Sequence, residues 1–216
     1  MAVLVVLTLA HFGWKYSGSG QWEKIAERNG VVMYAMKTPG SSVKKFKAVY
    51  KIRSKQSRLV MWVNDTNRAA KDRPMGLYDL RHLERSGDRV SWTAYKQRFA
   101  PFMKPREFVL KTEFAQDPKT KALLYNVTGY PDRIPEDDCC VRVPVMKNRW
   151  TFTPLKNGEL AVEWFCDMDL GGAVPALLQN TVMPQGMLTF APKVERFMEE
   201  PKYKNAKYEW LQEPQS

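Results

Sequence analysis

Groups able to do proton, nucleophilic or metal chemistry are sparse and scattered in this chain. His11 and His82 are its only histidines, and no Ser–His–Asp order, His/carboxylate cluster or Gly-rich phosphate loop is evident. Cys139, Cys140 and Cys166 are its three cysteines. The one close pair is adjacent, neighbouring residues rarely meet disulfide geometry, and all three are expected as structural thiols. Tyr95, Asp167 and Asp169 remain as groups able to donate or accept protons, the minimum for an enzyme acting on a hydrophobic substrate. No catalytic residue, metal site or cofactor is assigned.

A chain of 216 residues with 44% hydrophobic content suits one domain with a substantial core and room for an internal cavity. Lys+Arg 34 against Asp+Glu 23 gives +11, which fits anionic surfaces: acidic membranes, nucleic acid or acidic partners. Much of that charge lies between Lys44 and Arg58. The segment matches no RNA or DNA module, so a solvated strand face or an anionic membrane patch is expected there, and no nucleic-acid partner.

The elements that must position these groups follow from periodicity. Ala2 to Ala10 is an unbroken apolar run, too short to span a bilayer. It reads as the core of a secretory signal, with a buried strand or tether as the alternative, although no Lys or Arg precedes it. If residues 1–13 are a signal, a periplasmic or secreted location follows; otherwise the cytoplasm. Trp22 to Asn29 reads as a short helix. Val31–Met36 and Phe46–Ile52 read as strands, Ser57–Asn64 as a helix, and an irregular connection runs from there to Gly76. Six strand-like segments follow: Leu77–Arg85, Arg89–Phe99, Arg106–Phe114, Ala122–Tyr130, Cys140–Pro154 and Leu160–Asp169. Short turns between them imply antiparallel pairing.

After Gly171-Gly172 and Pro175 a long terminal helix is expected, running to Met198. Val174, Leu177, Leu178 and Thr181 form one stripe; Met183, Met187, Phe190, Val194 and Phe197 form another, nearly opposite. Pro184 and Gly186 lie where the phase changes, which predicts a kinked helix burying two different faces. A curved antiparallel sheet must cover its apolar face, the long helix is the available cover, and a cavity can remain between them.

Three motifs in order resemble the START (steroidogenic acute regulatory protein-related lipid transfer) domain family. Asp169-Leu170-Gly171-Gly172-Ala173-Val174-Pro175 is similar to the entry to the family's last helix, and Pro105-Arg106-Glu107-Phe108-Val109 to its Arg-Asp/Glu-Phe-Val strand. Cys140-Val141-Arg142-Val143, with Trp150, resembles a third strand region. The resemblance covers Trp22 to Glu200 and suggests a bacterial member. It implies an α+β helix-grip fold: a curved antiparallel sheet around the C-terminal helix, enclosing a hydrophobic cavity that holds a sterol or other lipid. Domain limits are 21–200, after a leader and linker at 1–20 and before a tail at 201–216.

The resemblance also implies that Ala100–Lys104 is an omega-type loop at the tunnel mouth. Phe99, Phe102 and Met103, with Lys104 and Arg106, are the expected gate and membrane contacts. Arg106 could instead hold the loop by pairing with Glu107 or Asp169. Some family members carry a buried acid and Arg in the tunnel; the corresponding positions here fall near Thr93 and Thr112, and neither charge is present. Strand alternation puts Thr93, Tyr95 and Gln97 on one side of their strand and Phe108, Leu110 and Thr112 on one side of the next. These, with Trp164 and with Val174, Leu177, Leu178 and Thr181 of the helix, are the expected ligand wall. The expected protein is a monomeric, non-enzymatic carrier of one lipid, in transient contact with anionic membranes.

Overall fold

The computed structural model describes residues 1–65, 76–101 and 103–213. Three helices and ten strands follow in the order α1 (Ala2–Tyr16), β1 (Trp22–Arg28), β2 (Val31–Met36), β3 (Lys45–Arg53), α2 (Gln56–Asn64) and β4 (Leu77–Ser86). Then come β5 (Val90–Gln97), β6 (Arg106–Gln116), β7 (Leu123–Gly129), β8 (Val141–Arg142), β9 (Val145–Pro154), β10 (Glu159–Asp169) and α3 (Ala176–Met198). The connection expected after Asn64 lies mostly outside the described residues.

All strands join one sheet in the order β1-β2-β3-β10-β9-β7-β6-β5-β4, and only the two-residue β8, beside β6, pairs in parallel. Alternation sets which face is apolar. Phe46, Ala48, Tyr50 and Ile52 of β3 are buried, and their register partners on β10 are Cys166, Trp164, Val162 and Leu160, buried as well. The α3 helix packs against β2, β3 and α2, at one side of the concave face. The β5–β9 side is left to the cavity described below.

Three expectations are corrected, and one open alternative, a strand at the N-terminus, is set aside. Trp22–Arg28 is a strand: its Glu, Lys and Ala suit a helix, but Asn29 and Gly30 both have positive φ, and the two-residue turn pairs Arg28 with Val31. Ala2–Tyr16, including the apolar run for which a strand was an alternative, is helical. Cys139 and Cys140 are disulfide-bonded to each other, in a turn where Asp137 accepts from both of their backbone N–H groups. Lastly, α3 buries one stripe rather than two: Gln179, Met187, Ala191, Val194 and Met198, flanked by Pro184, Leu188 and Phe197. The first half of that stripe is carried by a glutamine. Its side-chain amide donates to the Met168 carbonyl, and its Oε1 accepts from Leu170 N–H at 3.3 Å. A hydrogen-bonded polar residue is therefore buried where an apolar one was sought.

Residues 201–213 pack back on the domain. Tyr203 and Leu211 join the core. The Glu213 carboxylate accepts from the N–H groups of Gln56 and Ser57 at 3.1 and 2.7 Å, satisfying donors that α2 leaves open at its start. Nearby, Glu199 accepts from Ser54 Oγ at 2.8 Å and pairs with Arg58. Burial alone pushes the Glu199 carboxyl upward, but the hydrogen bonds from Ser54 and Arg58 and the charge of Arg58 outweigh it, so the net shift is downward. A carboxyl lowered by folding stabilises above its unfolded pKa and loses that contribution as pH falls through the folded value. Glu199→Gln should therefore lower the melting temperature at pH 7 by about 1–3 °C, since the pair is partly exposed, and the gap to wild type should close toward pH 3 in a calorimetric series.

Candidate functional site

Between the concave sheet and α3 lies a cavity of about 680 Å³. Its wall is a consequence of strand alternation. Ser91, Thr93, Tyr95 and Gln97 reach it from β5, and Phe108, Leu110 and Thr112 from β6. The next inward rows are Tyr125 and Val127 on β7, Met146, Asn148, Trp150 and Phe152 on β9, and Trp164, Cys166 and Met168 on β10. From the helical side come Leu59 and Trp62 of α2 and Met183, Phe190 and Val194 of α3.

An aromatic ladder crosses four adjacent strands. Phe114, Tyr125, Trp150 and Trp164 are register partners in turn, and each successive pair stacks with ring centroids 4.9 Å apart. Phe190 of α3 meets Trp164 edge-on at 5.8 Å. Such rings resist repacking, so they hold the cavity wall in shape while exposing apolar faces to it.

The expected ligand wall is thus brought together for Thr93, Tyr95, Gln97, Phe108, Leu110, Thr112 and Trp164, which all face one cavity. The α3 part is corrected. Leu177 and Leu178 are 79% and 42% exposed, Thr181 is exposed with its hydroxyl donating to the Leu177 carbonyl, and Val174 is half-buried against the core; none lines the cavity. The reason is the Gln179 anchor, which rotates the first half of α3 so that Met183 faces inward. Phe190, placed by its spacing on the second stripe and not among the expected ligand wall, is on the wall.

At the expected gate, Phe99 lines the cavity yet is 37% exposed, Met103 is half-buried and Lys104 is exposed. Phe102 lies outside the described residues. Arg106 is not a surface contact: it is 3% exposed, and its guanidinium donates to the carbonyls of Lys104 at 2.6 Å, Leu170 at 3.3 Å and Gly171 at 3.1 Å. It ties the loop before β6 to the turn before α3. Neither Glu107 nor Asp169 is its partner. Glu107, 1% exposed, instead takes Arg142 at 2.9 Å and Arg81 at 2.8 Å. Close packing explains the glycine pair as well: Gly171 and Gly172 have φ of +64° and +63°, and a Cβ on Gly171 would come within 2.9 Å of the Pro144 ring.

Electrostatically the cavity is quiet on the β5–β10 wall, where no charged side chain occurs; Asp65, Glu84 and Arg85 line it from α2's end and from β4. Burial raises the Tyr95 hydroxyl above its ordinary range and pushes the Cys166 thiol up to about 12. Asp167 pairs with Lys45 at 3.3 Å and Asp169 accepts from Gly171 N–H at 2.9 Å, and neither lines the cavity. Among the described residues no group of three or more His, Cys, Asp or Glu could hold a metal ion. Asn148 and the Glu107–Arg142 pair escaped the sequence reading. Alternation with Met146, Trp150 and Phe152 is the signal that finds Asn148.

No curated protein matches the chain in sequence. Among solved structures, the STAR-related lipid transfer protein of Xanthomonas axonopodis superposes with a TM-score of 0.73 at 18% identity, covering 84% of this chain and all (100%) of that one. Human StAR-related lipid transfer protein 5 gives 0.68 at 15% identity, covering 92% of this chain and 95% of its own. At these identities the likeness establishes a common fold. The family model described as "START domain" matches residues 15–204. The sheet wrapped on its terminal helix and a model match over most of its length mean that this chain belongs to the START domain family.

Proposed function

We propose that the protein is a carrier that holds one lipid in the cavity and exchanges it at an anionic membrane surface. The observation that carries this reading is the cavity of about 680 Å³, whose β5–β10 wall is made of aromatic and aliphatic side chains with a few neutral polar groups, while Asp65, Glu84 and Arg85 reach it from α2's end and β4. Removing an apolar ligand of that scale from water yields several kcal/mol, at about 25 cal/mol per Å². Escape into water is then slow, and a membrane that receives the ligand lowers the cost. The two structural relatives are named as lipid transfer proteins, which supports the reading. Of the three groups first considered for proton transfer, Asp167 and Asp169 are engaged away from the cavity, and Tyr95 lines it with its hydroxyl raised by burial; His82, Asp65 and Glu84 also line it, and the Cys166 thiol, raised to about 12, is a poor nucleophile.

The exchange surface we assign to Phe99, Met103 and Lys104 ahead of β6 and to the outward side of α3's first half. Leu177, Leu178 and Val182 stand 79%, 42% and 55% exposed there. Asn180 of the same half accepts from Lys44 N–H at 2.8 Å and donates to the Ser42 carbonyl at 3.1 Å, which keeps the basic loop before β3 beside these residues. Apolar side chains beside lysines suit shallow insertion among anionic head groups. Among the described residues no helix is long and apolar enough to cross a membrane.

Transfer of a fluorescent lipid between vesicles tests the reading. Transfer should accelerate with anionic lipid content, and a protein that neither binds nor moves sterols, phospholipids or fatty acids would refute it. The double variant Leu177→Asp, Leu178→Asp should slow transfer by about tenfold with little change in melting temperature, because both side chains are exposed. Cys166 reports opening. In a Cys139→Ser, Cys140→Ser background its labelling at pH 8 should be slow in buffer and faster with anionic vesicles; equal rates would contradict membrane-linked opening.

A further inference from the structure

The domain leaves the apolar surface of α1 uncovered. Val5, Val6, Leu9, Phe12, Trp14 and Tyr16 are between 40% and 66% exposed, and none of the helix's described side chains is buried. No Asp, Glu, Lys or Arg precedes Lys15. A helix this apolar belongs in a core or a bilayer, and no core receives it here. Its last turn, by contrast, is fixed to the domain. Trp14 Nε1 donates to the Ser42 carbonyl at 2.9 Å, and Gly40 N–H donates to the Lys15 carbonyl at 2.9 Å. The Lys37 ammonium donates to the Lys15 and Ser17 carbonyls at 3.1 and 2.9 Å. Lys37 and Lys44 stand 5.2 and 5.6 Å from the Trp14 ring centroid. The same Ser42 carbonyl accepts from Asn180 of α3 at 3.1 Å, and Leu177 lies one turn before Asn180 on that helix.

We propose that α1 is a retained anchor that inserts into an anionic bilayer and holds the domain there, with the exposed side of α3's first half beside the same membrane. Its 15 residues reach about 22 Å, short of a hydrocarbon thickness of about 30 Å, so the helix enters from one side without crossing. Its chemistry changes along its length as insertion requires. Apolar side chains run as far as Phe12, then come the rings of Trp14 and Tyr16, which favour the interface. Beside them Lys15, Lys37 and Lys44 form a basic collar that complements anionic head groups. Lys37 also supplies positive charge to the carbonyls that end the helix. Pairing with α1 of a second copy would cover the apolar face but gain nothing from that collar, which is why the bilayer is the occupant. The inference goes beyond the carrier reading and does not rest on it: the anchor needs no ligand in the cavity.

Flotation tests the anchor. The full chain is purified in detergent, returned to detergent-free buffer and mixed with vesicles of phosphatidylcholine and phosphatidylglycerol. It should float with them and stay bound in high salt, because apolar insertion is not screened. The double variant Leu9→Asp, Phe12→Asp should lower the bound fraction by about tenfold. Melting temperature and bound lipid should not change, since neither side chain belongs to the core or the cavity wall. Binding that high salt abolishes and the double variant leaves intact is surface charge alone and overturns the anchor. So does a self-associated chain that the double variant renders monomeric and that never binds vesicles, and so does an intact mass showing residues 1–13 removed from the chain recovered from cells. A chain that floats but takes up no lipid keeps the anchor and refutes the carrier; one that carries lipid but never floats does the reverse.

Discussion

The concave face of the sheet is wider than one helix can cover, and the rest of the structure depends on that mismatch. Nine strands along one path at about 4.8 Å spacing make a surface roughly 40 Å across before curling, whereas a helix with its side chains is about 10 Å wide. Curling narrows the gap without closing it, since β1 and β4 remain as unpaired edges. Because α3 sits against β2 and β3, the uncovered area is concentrated over β5 to β9. Alternation makes that area apolar. A large apolar surface with no protein group to cover it is stable as a cavity only if its lining cannot collapse, and the four-ring ladder from Phe114 to Trp164 is suited to prevent collapse.

The position of α3 is fixed at its entry by polar contacts more than by apolar ones. Arg106 gathers three carbonyls, two of them in the Leu170–Gly171 turn, and Gln179 clasps the end of β10. Beyond that clasp the helix is held by a continuous apolar stripe. The side turned outward from the clasp, with Leu177, Leu178 and Val182, is left in solvent. The fold therefore leaves an exposed apolar surface on the first half of α3, whose entry turn Arg106 ties to the loop before β6.

Much of this was legible in the sequence because β-strand alternation is a strict period. Seven expected wall residues from β5, β6 and β10 face the cavity for that reason, and the antiparallel order followed from short turns. What was not legible depended on tertiary context. Gln179 broke the helical stripe, since an apolar count gives no weight to a glutamine that finds two backbone partners eleven and nine residues away. Helix-forming residues at 22–28 yielded to pairing across the Asn29-Gly30 turn. The sequence leaves Arg106 as a membrane contact or as a loop tie through Glu107 or Asp169; only the fold brings the Gly171 carbonyl to it, 65 positions along the chain.

Three of the protein's tryptophans, Trp62, Trp150 and Trp164, line the cavity. Titration with a lipid brominated on its chain gives the most direct reading of the central claim. Tryptophan fluorescence should be quenched saturably at one lipid per chain, and Leu110→Phe, which narrows the cavity, should weaken that quenching. Quenching that never saturates, or that is indifferent to Leu110→Phe, would contradict a single lipid held inside the fold.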